Sequence, residues 1–248
     1  MIPESKKMKL MIIGGTSGIG WALAQHYLQA GHSVAVCGRD LKRMEQHSSY
    51  TQLKCYQLDI ADKTAVANAL DNFAEDNLDL VIVAAGFYFN TRHHELDATT
   101  TLRMLQTNVS GLSNAFELAT KKMLSQNSGH LVGISSVAGL LKNYPSASLY
   151  SASKRSVLNL CETYRIALRP FSIAVTAIVP GYVDTAKLRQ LNNGNASHKP
   201  FIMSEKQAVE RIVAAIERRQ PVCIFPWQMH WLIKLLNCLP SQLLGLRR

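Results

Sequence analysis

Apolar runs alternate with helical patterns along almost the whole chain. Mostly apolar runs predict strands at 9–13, 33–37, 52–58, 78–84, 129–134, 173–179 and 222–225. Between them, helical patterns occur at 21–30, 63–74, 99–124, 150–168 and 204–218. Strands that are apolar at consecutive positions fit a parallel sheet covered on both faces. The pattern therefore predicts an α/β fold with a doubly wound parallel sheet of the Rossmann type.

No internal repeat, low-complexity tract or linker interrupts this alternation, which predicts a single domain over residues 1–225. Residues 226–248 form an apolar, basic extension in which no acid follows Glu217. Pro240 should break any helix there. The extension either belongs to the same domain, folding over the sheet edge or packing in a dimer interface, or is an amphipathic segment that makes peripheral contact with a membrane.

The net charge of +10, from 27 basic and 17 acidic side chains, indicates an anionic partner. A phosphorylated cofactor, an acidic carrier or substrate and a lipid surface all fit. Nucleic acid fits poorly, because no Lys/Arg run is interleaved with aromatic residues. The five cysteines show neither C-x-x-C nor zinc spacing, which predicts free thiols in a reducing compartment, the cytoplasm. We expect no signal peptide, and no uninterrupted apolar run of 18 residues predicts a membrane span.

The first predicted strand ends in a glycine-rich turn that leads into the first predicted helix. Gly14, Gly18 and Gly20 stand there with the spacing G-x-x-x-G-x-G. Such a turn lets the backbone approach a pyrophosphate closely, and the N-terminus of the following helix favours negative charge. The spacing alone also fits a turn without a ligand. Its place directly after the first strand favours a dinucleotide.

The end of the second predicted strand indicates which dinucleotide is bound. An NAD site places an acid there to accept a hydrogen bond from the ribose 2′-hydroxyl. This chain has Gly38 at that place, followed by Arg39, and a guanidinium can pair in a forked geometry with a 2′-phosphate. We therefore predict NADP(H) rather than NAD(H). The alternative is that Arg39 is solvated and that Asp40, a candidate helix cap, binds the ribose.

Tyr150 and Lys154 are the candidate catalytic pair. They lie four residues apart on a predicted helix, so their side chains project from one face. A phenol has an unperturbed pKa of about 10, and a nearby ammonium would lower that pKa. Ser136 could hold a substrate carbonyl oxygen within reach of the phenol. On its own, Y-x-x-x-K fits an ordinary surface helix better, and only the other motifs favour catalysis.

With these motifs in place, the chain resembles the short-chain dehydrogenase/reductase superfamily over nearly its whole length. Residues 14–20 are similar to the family's T-G-x-x-x-G-x-G loop, with Ile13 in place of the usual Thr. Residues 83–86 correspond to N-N-A-G, with Val83 and Ala84 in place of both Asn residues. Residues 180–185 are similar to the P-G-x-x-x-T segment that holds the nicotinamide carboxamide.

The resemblance also implies the catalytic residues. Asn108 matches the family's active-site Asn, and Ser136 matches its catalytic Ser because Val-Ala-Gly follows it, with Ser135 as the alternative. The implied catalytic set is Ser136, Tyr150, Lys154 and Asn108, with no metal. The implied cofactor-binding set is Gly14, Thr16, Ser17, Gly18, Ile19, Gly20, Arg39, Asp59, Ile60, Ala85, Gly86, Tyr150, Lys154, Pro180, Gly181, Val183 and Thr185.

In the mechanism that the resemblance implies, Tyr150 is the general acid in reduction and the general base in oxidation. Ser136 orients and stabilises the reacting oxygen. Lys154 binds the nicotinamide ribose and lowers the pKa of Tyr150, and Asn108 links Lys154 to a proton relay through its backbone carbonyl and a water. The two long helices imply a homodimer or homotetramer.

The surroundings of the predicted site suggest an apolar small-molecule substrate. Residues 186–201 are interpreted as a mobile lid, and His93 and His94 as solvated loop residues or as part of the pocket mouth. The chain is thus predicted to be an NADPH-dependent oxidoreductase that interconverts a ketone or aldehyde and an alcohol. The alternatives are a 3-oxoacyl-thioester reductase and a non-catalytic NADP(H)-binding sensor. The candidate lining residues are Phe87, Tyr88, Phe89, Tyr144, Tyr182 and Leu188.

Overall fold

The structure is a computed structural model, which describes residues 7–40, 42–43, 50–75, 77–88, 97–141 and 149–238. Its strands in these ranges are β1 (Lys9–Ile13), β2 (Ser33–Gly38), β3 (Leu53–Gln57), β4 (Leu80–Val83), β5 (Gly129–Ile134), β6 (Ile173–Pro180), β7 (Val183–Asp184), β8 (Met203–Ser204) and β9 (Val222–Phe225). The α-helices are α1 (Gly18–Gln29), α2 (Lys63–Phe73), α3 (Ala98–Leu105), α4 (Gly111–Gln126), α5 (Leu149–Leu168), α6 (Ala186–Gln190), α7 (Glu205–Glu217) and α8 (Trp227–Cys238).

Seven of the strands form one parallel sheet in the order β3-β2-β1-β4-β5-β6-β9. Ile12 of β1 pairs with Val36 of β2 on one side and with Ile82 of β4 on the other. The strand order therefore reverses between β1 and β4, where a doubly wound sheet opens a crevice at the carboxyl ends of its strands. This confirms the predicted Rossmann-type sheet and fixes the position of its ligand crevice.

The central strands of the sheet are buried on both faces, which explains why they are mostly apolar at consecutive positions, whereas the edge strand β3 is largely exposed. Met11 and Ile13 point into one apolar layer, and Leu10 and Ile12 into the other. The first layer includes buried side chains of α2, α4 and α5, and the second those of α1 and α7. Burial on both sides holds the strand ends, and the residues that follow them, in fixed positions.

Polar side chains cap the N-termini of α2 and α7. Asp62 accepts a hydrogen bond from the backbone N–H of Ala65 at 3.0 Å and caps α2. Ser204 and Gln207 form a reciprocal capping box at the start of α7. These caps satisfy backbone N–H groups that a helix N-terminus otherwise leaves without partners.

The stretch predicted as one helix at 99–124 is in fact interrupted. A π-helical turn, Gln106–Ser110, lies between α3 and α4, and the backbone N–H of Gly111 bonds to the carbonyl of Gln106. Single π turns inside helices often occur at functional sites, and this one contains Asn108. The periodicity of apolar residues did not indicate it, because one inserted residue changes the hydrogen bonding but hardly alters the pattern.

The C-terminal extension contains the helix α8, which packs on the domain through Met229 and Ile233, both buried. Pro240 lies beyond the described residues. None of the helices in the described ranges is both long and apolar enough to cross a membrane.

Candidate active site

The glycine turn after β1 is held between the ends of β2 and β4. The backbone N–H groups of Gly14 and Gly15 donate to the carbonyl of Cys37 at 2.8 and 3.2 Å. Gly14 has a φ of +85°, and a methyl group there would overlap the backbone N of Ala85 and lie 2.6 Å from its Cα. Glycine is therefore required at this position for two reasons, its positive φ and the close approach of the β4 loop.

The start of α1 is well suited to an anion. Its first turn contains no acidic residue, and within the described chain the Ser17 side chain forms no capping hydrogen bond there. The first N–H groups of a helix need a partner and carry a partial positive charge. The start of α1 at Ser17, Gly18 and Ile19 thus favours negative charge.

At the end of β2, the structure excludes a side chain at position 38. A methyl group on Gly38 would lie 2.6 Å from Oγ1 of Thr16, which is buried. The half-exposed guanidinium of Arg39 lies 3.7 Å from the carboxylate of Asp59. Asp40 accepts from the backbone N–H of Arg43 at 3.4 Å and forms an ion pair with its side chain. Arg39 and Asp59 therefore stand together beside the glycine turn, while Asp40 is engaged with Arg43.

Asp59 and Ile60 follow β3 at the same edge of the sheet. Asp59 accepts a hydrogen bond from the backbone N–H of Ala61 at 3.0 Å, which orients its carboxylate. Ile60 is buried, and a methyl group on Gly111 of α4 would lie 2.9 Å from its side chain. Asp59 and Ile60, both in the implied cofactor-binding set, are thus held next to Arg39.

The loop after β4 is fixed by Asn108, in a way that sequence reasoning missed. The Asn108 side chain accepts from the backbone N–H of Phe87 at 2.7 Å and donates to the carbonyl of Phe87 at 2.9 Å. It also donates to the Ser153 hydroxyl at 3.0 Å, and Ser153 donates to the carbonyl of Tyr150 at 2.8 Å. The prediction assigned Asn108 a role for its backbone carbonyl, whereas its side chain links the Ala85–Gly86 loop to the first turn of α5.

The two adjacent serines after β5 have different partners. Ser135 is buried, and its hydroxyl donates to the carbonyl of Lys154 at 2.6 Å. This bond connects the residue after β5 to α5. The Ser136 side chain hydrogen-bonds the Tyr150 phenol and also accepts from the backbone N–H of Ala138 at 3.2 Å. Of the two candidates left open by the sequence, Ser136 is the one that contacts Tyr150.

Lys154, one turn along α5 from Tyr150, is buried. Its Nζ donates to the carbonyl of Ile134 at 2.9 Å and lies 6.0 Å from the centre of the Tyr150 ring. A methyl group on Gly86 would come within 3.2 Å of Nζ, so the β4 loop covers the amine closely. Burial lowers the pKa of Lys154 to about 8, because a charged amine loses its hydration.

The prediction that Lys154 brings the pKa of Tyr150 below its usual value is wrong for this structure. The pKa of Tyr150 is raised to about 12, first because burial disfavours the phenolate, with Tyr88 and Tyr182 adding to the shift. The hydrogen bond from Ser136 opposes this shift but does not reverse it. The Lys154 amine is directed at the carbonyl of Ile134, so desolvation, rather than its charge, determines the pKa of the phenol.

The depressed pKa of Lys154 predicts a specific change of stability with pH. Between the folded pKa of about 8 and the unfolded value of 10.5, only the unfolded chain keeps the proton, so the contribution of Lys154 to stability rises with pH. From about pH 8 to about pH 9, we expect the free energy of unfolding of the wild type to rise by about 1 kcal/mol relative to Lys154→Met. Urea denaturation of both proteins measures this difference.

The wild type must be compared with Lys154→Met because the ionisation of other groups lowers the free energy of unfolding as the pH rises. Burial raises the pKa of Cys37 and of Cys161, so above their unfolded values the folded state keeps protons that the unfolded chain loses. The effect of Cys37 is the same in both proteins and cancels in the difference. Lys154 lowers the pKa of Cys161, so the effect of Cys161 does not cancel, and both proteins are compared in a Cys161→Ala background. A constant difference across the window would mean that the Lys154 amine is well hydrated.

Aromatic rings stand around the phenol. The Tyr88 ring meets the Tyr150 ring edge-on at 4.9 Å between centroids. The Lys199 amine lies 5.7 Å from the centre of the Tyr182 ring, and the Arg103 guanidinium lies 5.0 Å from the centre of the Phe87 ring. Tyr88 and Tyr182 thus lie near the phenol, and the substrate lining itself stays a prediction. Phe89, Tyr144, His93 and His94 lie outside the described residues.

The segment predicted to hold the carboxamide passes over the glycine turn. The backbone N–H of Gly181 donates to the carbonyl of Phe225 at 2.7 Å, and Val183 pairs with Met203. The Thr185 hydroxyl accepts from the N–H of Leu188 at 3.1 Å, and its methyl group would lie 3.5 Å from a methyl on Gly18. The predicted lid, 186–201, continues from here with the short helix α6 and a series of hydrogen-bonded turns.

The other candidate functional residues are possible metal ligands and the five cysteines. In the ranges that the structure describes, no three His, Cys, Asp or Glu side chains are grouped so as to hold a metal ion. Cys37 and Cys161 are buried, Cys223 is half-buried, and Cys55 and Cys238 are exposed, all as free thiols.

The parallel sheet, the glycine turn at its switch point and the Ser–Tyr–Lys cluster beside it together define a nucleotide-binding oxidoreductase. The family model for short chain dehydrogenases matches residues 9–196, and the chain belongs to this family, whose members bind a nicotinamide cofactor.

Known proteins agree with this membership. An uncharacterized oxidoreductase from Myxococcus xanthus is 30% identical over 241 residues, which cover 94% of this chain and 93% of that protein. The solved structure of ElxO with NADP bound has a TM-score of 0.78 at 24% identity and covers 88% of this chain and 96% of its own. A 3-oxoacyl-[acyl-carrier protein] reductase with bound NAD from Brucella melitensis has a TM-score of 0.75 at 22% identity, covering 89% and 90%. At these identities the two structures show the shared fold alone.

Proposed function

We propose that this protein is an NADP(H)-dependent carbonyl reductase that interconverts an apolar ketone or aldehyde and the corresponding alcohol. The observation that carries the proposal is the half-buried Tyr150, whose phenol contacts Ser136 and whose ring centre lies 6.0 Å from the Lys154 amine at the ligand crevice of the sheet. The pKa of about 12 keeps this phenol protonated at neutral pH. A protonated phenol is a proton donor, which supports the reductive direction.

The residues that would hold the dinucleotide lie in order along the crevice. Ser17, Gly18 and Ile19 at the start of α1 would bind the pyrophosphate. Asp59 and Ile60 would contact the adenine. The Ala85–Gly86 backbone would contact the adenosine ribose, and Lys154 the nicotinamide ribose. The carboxamide would be held by Pro180, Gly181, Val183 and Thr185.

A bound reduced nicotinamide supplies the hydride that adds to the carbonyl carbon. Tyr150 donates its phenolic proton to the carbonyl oxygen as negative charge develops there, and Ser136 holds that oxygen in place. A protonated Lys154 has three N–H donors, of which one serves Ile134, so two are available to ribose hydroxyls. Tyr88 and Tyr182 lie near the phenol and would present aromatic surface to the substrate.

Consumption of NADPH with a panel of apolar ketones and aldehydes tests this proposal through absorbance at the nicotinamide band. We expect turnover with members of the panel and stereoselective formation of the alcohol. Binding of NADPH without turnover across a broad panel would instead identify a sensor protein.

The preference for NADP(H) is supported by two features of the β2 end. Gly38 cannot carry an acidic side chain, because Thr16 occupies that space. The Arg39 guanidinium is half-exposed, and within the described ranges its ion-pair contact is a long one to Asp59, so it can pair with a 2′-phosphate. Both features favour a phosphorylated ribose over a ribose hydroxyl.

We expect Arg39→Ala to weaken NADPH binding by about 10- to 100-fold, since a hydrogen bond to a charged group contributes about 1.5–3 kcal/mol. The affinity for NADH should stay the same. Arg43→Ala is the matched control, because it removes an equal charge from a side chain that is paired with Asp40. Titrations of cofactor fluorescence measure the affinities of the wild type and both variants for NADPH and for NADH. An equal loss for NADPH and NADH would contradict a role for Arg39 in reading the 2′-phosphate.

Reduction of a carrier-linked 3-oxoacyl group is the second candidate. It is favoured by the Arg103 and Lys199 cations, which sit on the aromatic rings around the phenol and could attract an acidic carrier. Activity on acyl-carrier thioesters that exceeds activity on free ketones and falls steeply with salt would favour this reading.

A further inference from the structure

Helix α8 exposes its apolar side chains to the outside. Trp227, Trp231 and Leu235 are 67%, 63% and 61% exposed. They recur every four residues and therefore form one stripe along the helix. The opposite side of the same helix is buried through Met229 and Ile233. The stripe is thus additional to the face that packs on the domain, and we name these three residues together with Lys234 the α8 outer face.

The chemistry of the α8 outer face is that of a segment that enters a lipid headgroup region. Tryptophan is enriched at membrane–water interfaces, where its ring contacts acyl chains and its N–H stays with polar groups. The Lys234 amine lies 4.8 Å from the centre of the Trp231 ring, so a cation accompanies the apolar stripe. A long lysine side chain can rest along apolar surface while its charge reaches the headgroups.

The charge of the chain around α8 indicates that the lipid surface is anionic. Residues 218–248 contain no acid and five basic residues, Arg218, Arg219, Lys234, Arg247 and Arg248. The whole chain carries a net charge of +10. Anionic lipid attracts such basic segments.

The same charges disfavour a second copy of the chain as the occupant. In a two-fold interface a surface patch meets itself. The Lys234 of one copy would then meet a stretch of the other copy in which residues 218–248 offer no Asp or Glu side chain to balance it. An anionic membrane supplies that negative charge.

We propose that the α8 outer face docks this protein peripherally on an anionic lipid surface. The helix is attached to the active-site region, because Asn237 donates to the carbonyl of Leu140 at 2.8 Å in the 3₁₀ turn that follows Ser136. Pro226, at the start of the helix, lies 2.9 Å from where a methyl on Gly181 would stand. The docked surface therefore lies beside the loops that form the crevice. Docking does not depend on the chemistry proposed above.

Flotation of the full-length protein with lipid vesicles tests the proposal. One set of vesicles contains phosphatidylcholine alone, and the other contains phosphatidylcholine mixed with phosphatidylglycerol. We expect flotation with the anionic vesicles, and a loss of bound protein of about tenfold or more in Trp227→Ser/Trp231→Ser, which removes most of the apolar area of the stripe. Lys234→Glu should weaken binding to the anionic vesicles while it keeps both rings.

The matched control is Leu102→Ser/Ile166→Ser, which removes two exposed apolar side chains from α3 and α5 and should float like the wild type. Thermal unfolding verifies that all variants fold. Vesicles with brominated acyl chains should quench the emission of the wild type and not that of the double Trp variant, in which Trp21 remains.

The proposal is overturned if the full-length protein stays out of the anionic vesicle fraction, or if the double Trp variant floats equally well. Light scattering detects the competing explanation. A halved mass of the double Trp variant, with no vesicle binding by the wild type, would show that α8 pairs two copies.

Discussion

Tyr150→Phe is expected to lower kcat by about 10²- to 10⁴-fold or more, while NADPH binding stays close to that of the wild type. The substitution removes only the hydroxyl group that Ser136 contacts. The ring keeps its edge-on contact with Tyr88, so the shape of the site is preserved. Single-turnover measurements with a saturating ketone separate the chemical step from binding. A fully active Phe variant would remove Tyr150 from the mechanism.

Ser153→Ala is a useful control for this experiment. It lies in the same helix and also removes a hydroxyl, but one that bonds to Asn108 and to the carbonyl of Tyr150. Its effect should therefore appear in stability and in the position of the β4 loop, and less in the rate of proton transfer. A loss of kcat in Ser153→Ala as large as that in Tyr150→Phe would mean that the measured loss reflects a disturbed helix.

The fold was predictable because its signals are local and repeated. The central strands are apolar at consecutive positions, since they lie between two layers of helices, and β1 has the same bounds, Lys9–Ile13, in prediction and structure. The glycine turn was predictable for a related reason. Only glycine suits a positive φ next to the β4 backbone, so the sequence has little freedom at Gly14.

The features that were missed depend on contacts between distant parts of the chain. The side-chain role of Asn108 arises because Phe87 and Ser153, which lie 21 and 45 residues away, come to the same point. The spacing of Tyr150 and Lys154 placed them on one face but could not show that Lys154 bonds to Ile134 and that burial dominates both pKa values. Desolvation depends on the whole packed site, and no motif records it.

Gly14→Ala should strongly weaken cofactor binding, and Gly31→Ala provides its matched control. The two residues have nearly the same backbone conformation, with φ of +85° and +82°. An added methyl group therefore costs about 1–2 kcal/mol at either position through the left-handed backbone alone. The surroundings differ, because nothing lies within 4 Å of the added group at Gly31.

At Gly14 the added methyl group meets backbone atoms of Ala84 and Ala85, which cannot move away by changing a side-chain rotamer. Overpacking adds about 1–3 kcal/mol to the loss of stability, and relief of the overlap must push apart the β1 and β4 loops that border the crevice. We therefore expect NADPH affinity to fall by about tenfold or more in Gly14→Ala and to stay unchanged in Gly31→Ala, where only stability decreases. Urea denaturation and titrations of NADPH fluorescence measure the two quantities separately. Equal NADPH affinity in both variants would mean that the crevice tolerates a wider separation of these loops, and that the pyrophosphate does not depend on their close approach.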